Sequence, residues 1–143
     1  MAQVVVDANV LIAARLSRDQ NHSRGAAITQ AIDEGEIPTA YVLSDVLEEV
    51  VNYLQARSSR DVAAATLDAI IGSRGFELTH TQKTDFDAGR SLFRRYDTLS
   101  LTDAIIVAAM QRLDRTYLYS FDDGFDTVAD ITRLTTATTP FEE

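Results

Sequence analysis

Four acids stand out in this chain by where they fall rather than by type: Asp7, Glu49, Asp103 and Asp122. Asp7 closes the run Val4-Val5-Val6, which reads as a buried strand, and such a strand has no structural need of a carboxylate at its tip. Glu49 falls in the first turns of a helix, Asp103 in the first turn of an apolar helix, and Asp122 just after Tyr117-Leu118-Tyr119. Strand ends and helix starts share one edge of a parallel sheet, so all four can converge where open α/β folds bind ligands. Carboxylates gathered in one pocket repel unless protonated or bridged by a cation, and oxygen donors without His or Cys select Mg²⁺ or Mn²⁺. Such a site orients a phosphate and activates water for in-line attack.

Each acid also has a plain structural explanation. Ser100 and Asp103 have the spacing of a capping box, in which each side chain bonds the other's backbone N–H. Asp45 and Glu48 share that spacing, which assigns Glu48 to the cap and Glu49 to the site, although helical periodicity hardly separates the two glutamates. Asp122, Asp123 and Asp126 lie in a turn, where aspartate is common for backbone reasons. Asp123 therefore stays an alternative to Asp122, and Asp126 is a supporting acid of the same turn. Asn9 is either a helix cap or a polar part of the site.

The elements that must position these residues alternate between strand and helix. Helices are expected over Val10–Leu16 and His22–Ile32, then a short strand at Ile37–Tyr41. Ser44 or Asp45 is expected to cap a helix reaching Arg57, and Ser59-Arg60-Asp61 to open one over Val62–Ile71. Phe76–Leu78 reads as a third strand and Thr81–Tyr96 as a helix. Ser100 caps a helix whose body, Ala104–Met110, is apolar on nearly every side and must be buried. Tyr117–Tyr119 is the fourth strand and Arg133–Thr135 a short edge strand. This order implies an α/β fold of three layers, a parallel central sheet with helices on both faces. Residues 1–143 are expected to form a single domain, with 136–143 as a polar tail.

Composition narrows the chemistry. Without cysteine there is no thiolate nucleophile, thiolate zinc site or disulfide, and His22 and His80 stand too far apart in sequence for an imidazole cluster. No apolar run is long enough to span a bilayer and no signal peptide is evident, so a cytoplasmic protein without membrane contact is expected. A formal net charge of −9 repels nucleic acid at ordinary salt. Lys83 is the single lysine, however, and lysine-poor acidic surfaces suit a high-salt, halophilic cytoplasm, where fields are screened within about 3 Å at 1 M salt.

Asp7-x-Asn9, Glu49, Leu99-Ser100-Leu101-Thr102-Asp103-Ala104 and Ser120-Phe121-Asp122-x-x-Phe125 together resemble the PIN domain, most of all the VapC-type toxin nucleases. The resemblance runs from Val4 to about Leu134 and rests on the order and spacing of the acids. It implies a Mg²⁺- or Mn²⁺-dependent endoribonuclease with Asp7, Glu49, Asp103 and Asp122 as the metal pocket, Asn9 and Ser120 as polar support, RNA as substrate, a homodimer, and an antitoxin protein as partner. Arg15, Arg18 and Arg24, with Arg90, Arg94 and Arg95, are phosphate-contact candidates, although a solvated face explains most of them. A phosphotransfer site with its aspartate after strand one is disfavoured, because Asn9 stands where dehalogenase-like phosphatases need a second Asp and Lys83 opens a helix. A housekeeping RNA-processing nuclease and a silent acidic pocket that receives a partner's arginine remain the alternatives.

Overall fold

The computed structural model describes residues 3–138; of the expected tail, residues 139–143 lie outside the described residues. Five strands form one sheet in the order β3-β2-β1-β4-β5, all parallel: β1 (Val4–Val6), β2 (Ala40–Leu43), β3 (Phe76–Thr79), β4 (Tyr117–Tyr119) and β5 (Thr132–Leu134). The central strand β1 is buried on both faces, which is why it reads as an unbroken apolar run.

Six helices cover the sheet: α1 (Ala8–Arg15), α2 (His22–Asp33), α3 (Ser44–Arg57), α4 (Arg60–Gly72), α5 (Lys83–Arg95) and α6 (Leu101–Leu113). The chain steps outward from β1 to β3 and then returns past β1 to β4, so right-handed crossovers send α1–α4 to one face and α5–α6 to the other. The closest helix pairings fall within these two groups. The expected three-layer architecture is therefore present. The reversal of direction leaves a crevice between the carboxyl ends of β1 and β4, the place where such sheets take ligands.

Helix α6 is the most deeply set. All of Ala104–Met110 is buried, and each fully covered Ile, Val or Met contributes about 1.5–3 kcal/mol. It lies so close to α5 that a methyl group added at Gly89 would stand 2.7 Å from Ile105 Cγ1. The same two helices are locked by Arg112, whose Nε and Nη2 donate to the two oxygens of Asp85 at 2.7 and 2.9 Å. Asp85 also accepts from the Gln82 N–H and so caps α5, which starts at Lys83 rather than the expected Thr81.

Other boundaries shift for reasons that bear on the site. Strand β2 begins at Ala40, not Ile37, because Pro38 has no N–H to give to a ladder. Helix α3 then follows without a connecting residue, entered at Ser44 straight from Leu43, and the Asp45–Glu48 capping box does not form. The Ser44 hydroxyl instead accepts from the Thr81 N–H and ties down the chain leaving β3. Helix α1 begins at Ala8, two residues before the expected Val10, because its cap is Asp7.

Candidate metal centre

Asp7 leaves β1 in extended conformation and turns at once into α1, with its Oδ1 accepting from the Ala8 N–H at 2.8 Å. Its Oδ2 accepts from the hydroxyl of Ser120, the fully buried residue after β4, also at 2.8 Å. That hydroxyl accepts in turn from Asn9 Nδ2 (3.3 Å) and the Asp122 N–H (3.0 Å), while Asn9 Oδ1 accepts from the Phe121 N–H (3.1 Å). Asn9 is thus not a helix cap. With Ser120 it stitches the ends of β1 and β4 together and fixes Asp7 relative to Asp122.

Asp122 caps the short 3-10 turn Asp123–Thr127 through Oδ1 and the Gly124 N–H. That turn is held to the loop before α6 by the Thr98 hydroxyl, which donates to the Gly124 carbonyl at 2.8 Å. The loop ends in the expected capping box: the Ser100 hydroxyl accepts from the Asp103 N–H, and Asp103 Oδ2 accepts from the Ser100 N–H. Glu49 reaches the same space from the second turn of α3. One cavity of about 340 Å³ is lined by Asp7, Asn9, Glu49, Ser100, Asp103 and Asp122, so the four acids, from four separate elements, face one space.

Burial, and then mutual proximity, raises the proton affinity of three of them. Asp7 is pushed up to about 7, chiefly by burial and further by the charges of Asp103 and Glu49, against the lowering effect of its Ser120 and Ala8 hydrogen bonds. Glu49 is raised by burial and by Asp103. Asp103 is raised by burial, opposed by its bonds to Ser100, and raised again by Asp122. Asp103 is therefore the electrostatic centre of the group.

The remaining acids lie elsewhere. Glu48 faces a groove between α3, α4 and β3 with Leu67, Ile71 and His80, so the adjacent glutamates point into different spaces. Asp123 is exposed and outside the acid cavity's lining. Asp126, the expected supporting acid, lies outside the cavity's lining: Arg133 holds both its oxygens, at 2.9 and 3.0 Å, and draws its pKa below the usual carboxylate range. Arg133 also donates to the Ser120 carbonyl, so this pair braces the loop from outside.

An all-oxygen set of mutually repelling carboxylates fits a hard divalent cation. Among the described residues no three His, Cys, Asp or Glu side chains already converge as an ion-holding group. The hydrogen bonds above hold both oxygens of Asp7 and one each of Asp103 and Asp122 to the protein.

The sequence matches the profile of the PIN domain over residues 4–131. The chain belongs to the PIN domain family. Two curated relatives, a VapC ribonuclease of Mycobacterium bovis and the ribonuclease VapC13 of Mycobacterium tuberculosis, are each 38% identical over 91 residues, 64% of this chain and 69% of theirs. Among solved structures the PIN fold recurs in VapC20 of Mycobacterium tuberculosis, a sarcin–ricin-loop-cleaving toxin, with a TM-score of 0.75 and 21% identity over 88% of this chain and 95% of that one. It recurs in VapBC2 of Rickettsia felis bound to promoter DNA, with a TM-score of 0.69 and 11% identity over 92% and 97%. No helix among the described residues of this PIN domain is long and apolar enough to cross a membrane.

Proposed function

We propose that this PIN domain is a Mg²⁺- or Mn²⁺-dependent endoribonuclease, with Asp7, Glu49, Asp103 and Asp122 as its metal-holding and catalytic residues. The observation that carries the reading is the single cavity lined by these four carboxylates, three of them with raised proton affinity. Carboxylates that destabilise one another are stabilised together by a cation, and no Lys, Arg or His is among the described residues of this cavity's lining. When bound, the cation supplies charge stabilisation to the phosphodiester oxygens and a lowered pKa to the attacking water.

The chain's own residues do the positioning. Ser120 and Asn9 hold the Asp7 carboxylate and the Asp122 backbone in fixed relation, and the Ser100 cap orients Asp103. Glu49 is the adaptable member, a longer side chain on an exposed part of α3. In this reading water is the nucleophile, activated by the cation that the acids hold. The VapC ribonucleases among its relatives support RNA cleavage, and the sarcin–ricin-loop-cleaving toxin and a toxin–antitoxin complex from Klebsiella pneumoniae, which share the fold, support a toxin role with an antitoxin partner. The test is incubation with total RNA in Mg²⁺, in Mn²⁺ and in EDTA, beside Asp103→Asn. Cleavage that needs the metal and is lost in the variant supports the reading; cleavage undiminished in EDTA overturns it.

A further inference from the structure

Helices α1 and α3 leave neighbouring strand ends side by side, and the acid cavity occupies only the first turn of α1 and the second of α3. Farther along the same two helices lies a second cavity of about 520 Å³, lined by Arg15 and Arg18 on one side and by Tyr53 and Arg57 on the other. Glu49, Tyr53 and Arg57 follow one another at four-residue steps, so α3 presents the acid cavity and this cleft along one side. At 1.5 Å rise per residue the distance from Glu49 to Arg57 is about 12 Å, the reach of a nucleotide or two.

The charge of the cleft runs against that of the whole chain. Against 22 acids and 13 basic residues in the whole chain, this lining brings together three arginines and one acid, and Arg15, Arg18 and Arg57, like most arginines here, take part in none of the ion pairs among the described residues. The one acid in the lining, Asp19, accepts from the Asn21 N–H. The Arg57 guanidinium lies over the ring of Tyr53, 5.2 Å from its centroid, and the tyrosine is 38% exposed despite its apolar face. Three unpaired guanidinium groups around an exposed aromatic ring match the needs of a single-stranded nucleic acid, whose phosphates pair with arginine and whose bases stack on rings and guanidinium planes.

We infer that this cleft binds the RNA strand beside the phosphate that enters the acid cavity, with Arg15, Arg18 and Arg57 on backbone phosphate and Tyr53 stacked on a base. The inference rests on the nuclease reading above and adds where the substrate runs: along the seam of α1 and α3.

The experiment measures binding rather than cleavage. Asp103→Asn serves as the parent, and its affinity for a fluorescent, unstructured ribo-oligonucleotide is followed by anisotropy across ionic strength. Tyr53→Ala in that background is expected to weaken binding about tenfold, and Tyr53→Phe, which keeps the ring, to restore most of it. Arg57→Gln and the pair Arg15→Gln with Arg18→Gln are expected to lower the salt slope of log Kd by about 0.7 for each phosphate no longer neutralised. Arg74→Gln, on the loop before β3, removes the same charge and is expected to change neither. All these positions are exposed, and a melting curve confirms that each variant is folded. Cleft variants that match the parent in affinity and slope overturn the inference. A parent that binds no RNA at any salt sinks the nuclease reading itself, and the inference with it.

Discussion

Asp7→Asn should make the metal-free protein more stable, and by an amount that depends on pH. Asp7 has its ordinary value of 3.8 in the unfolded chain and about 7 in the fold. Between those values the native state holds a proton that the unfolded state has released, so stability falls as pH rises through the window and levels off above about 7. At about 1.4 kcal/mol per pH decade, the ionised carboxylate costs the native state about 4 kcal/mol at pH 8 or so. Asparagine removes that penalty and keeps the acceptor for the Ala8 N–H. Its amide, however, faces a Ser120 hydroxyl that already accepts from Asn9 and Asp122, which forfeits a hydrogen bond worth about 1 kcal/mol. The expected gain is therefore about 3 kcal/mol near pH 8, turning to a loss of about 1 kcal/mol near pH 4. Urea unfolding in EDTA at both pH values measures it. Adding Mg²⁺ should then stabilise the wild type more than the variant. A variant no more stable than wild type at the higher pH, or a difference that does not move with pH, would mean that the buried Asp7 charge carries no such penalty.

Three further outcomes are expected. Asp85→Asn should cost about 3 kcal/mol by leaving Arg112 without its bidentate partner between α5 and α6, as read from denaturant midpoints. Burial raises the Asp85 carboxyl, but the Arg112 and Gln82 hydrogen bonds bring it below its ordinary value, so the wild type should lose this contribution in acid, below about pH 4, while the variant shows a flatter acid limb. Glu48→Gln should leave Mn²⁺ affinity unchanged and Glu49→Gln should lower it at least tenfold, with the reverse ranking in a calorimetric titration pointing to the other glutamate. Stability should rise from about 0.1 M toward molar salt as the net charge of −9 is screened, and a maximum near 0.1 M would remove the high-salt reading of the composition.

How far the sequence discloses this molecule depends on whether a signal is local. The apolar run of Val4–Val6, the all-round apolar body of α6 and the Ser100–Asp103 box carry their structure within a few residues, and each forms as read. Glu48 and Glu49 differ by one position on a helix whose start depends on the tertiary path out of β2, so only the fold separates the spaces they face. Asp126 looks like a site acid because its partner, Arg133, sits seven residues on in another element. Asp85 and Arg112 carry no signal at all, being 27 residues apart and joined only when α5 meets α6. Tyr53 is equally silent, because an exposed tyrosine on a helix is ordinary until Arg15, at the end of α1, and Arg18 beyond it are seen opposite.

If four carboxylates act as one divalent-cation site at which RNA is cut, metal occupancy and cleavage must rise and fall together. A Mn²⁺ titration followed by electron paramagnetic resonance tests this, with RNA cleavage read from the same samples, on wild type and on single Asn or Gln variants of Asp7, Glu49, Asp103 and Asp122. The expected result is saturable Mn²⁺ binding to the wild type, with cleavage rising along the same isotherm, and a loss of both in every variant. Cleavage that proceeds without bound Mn²⁺ or Mg²⁺, or Mn²⁺ bound equally well by the Asp7 and Asp103 variants, would contradict it.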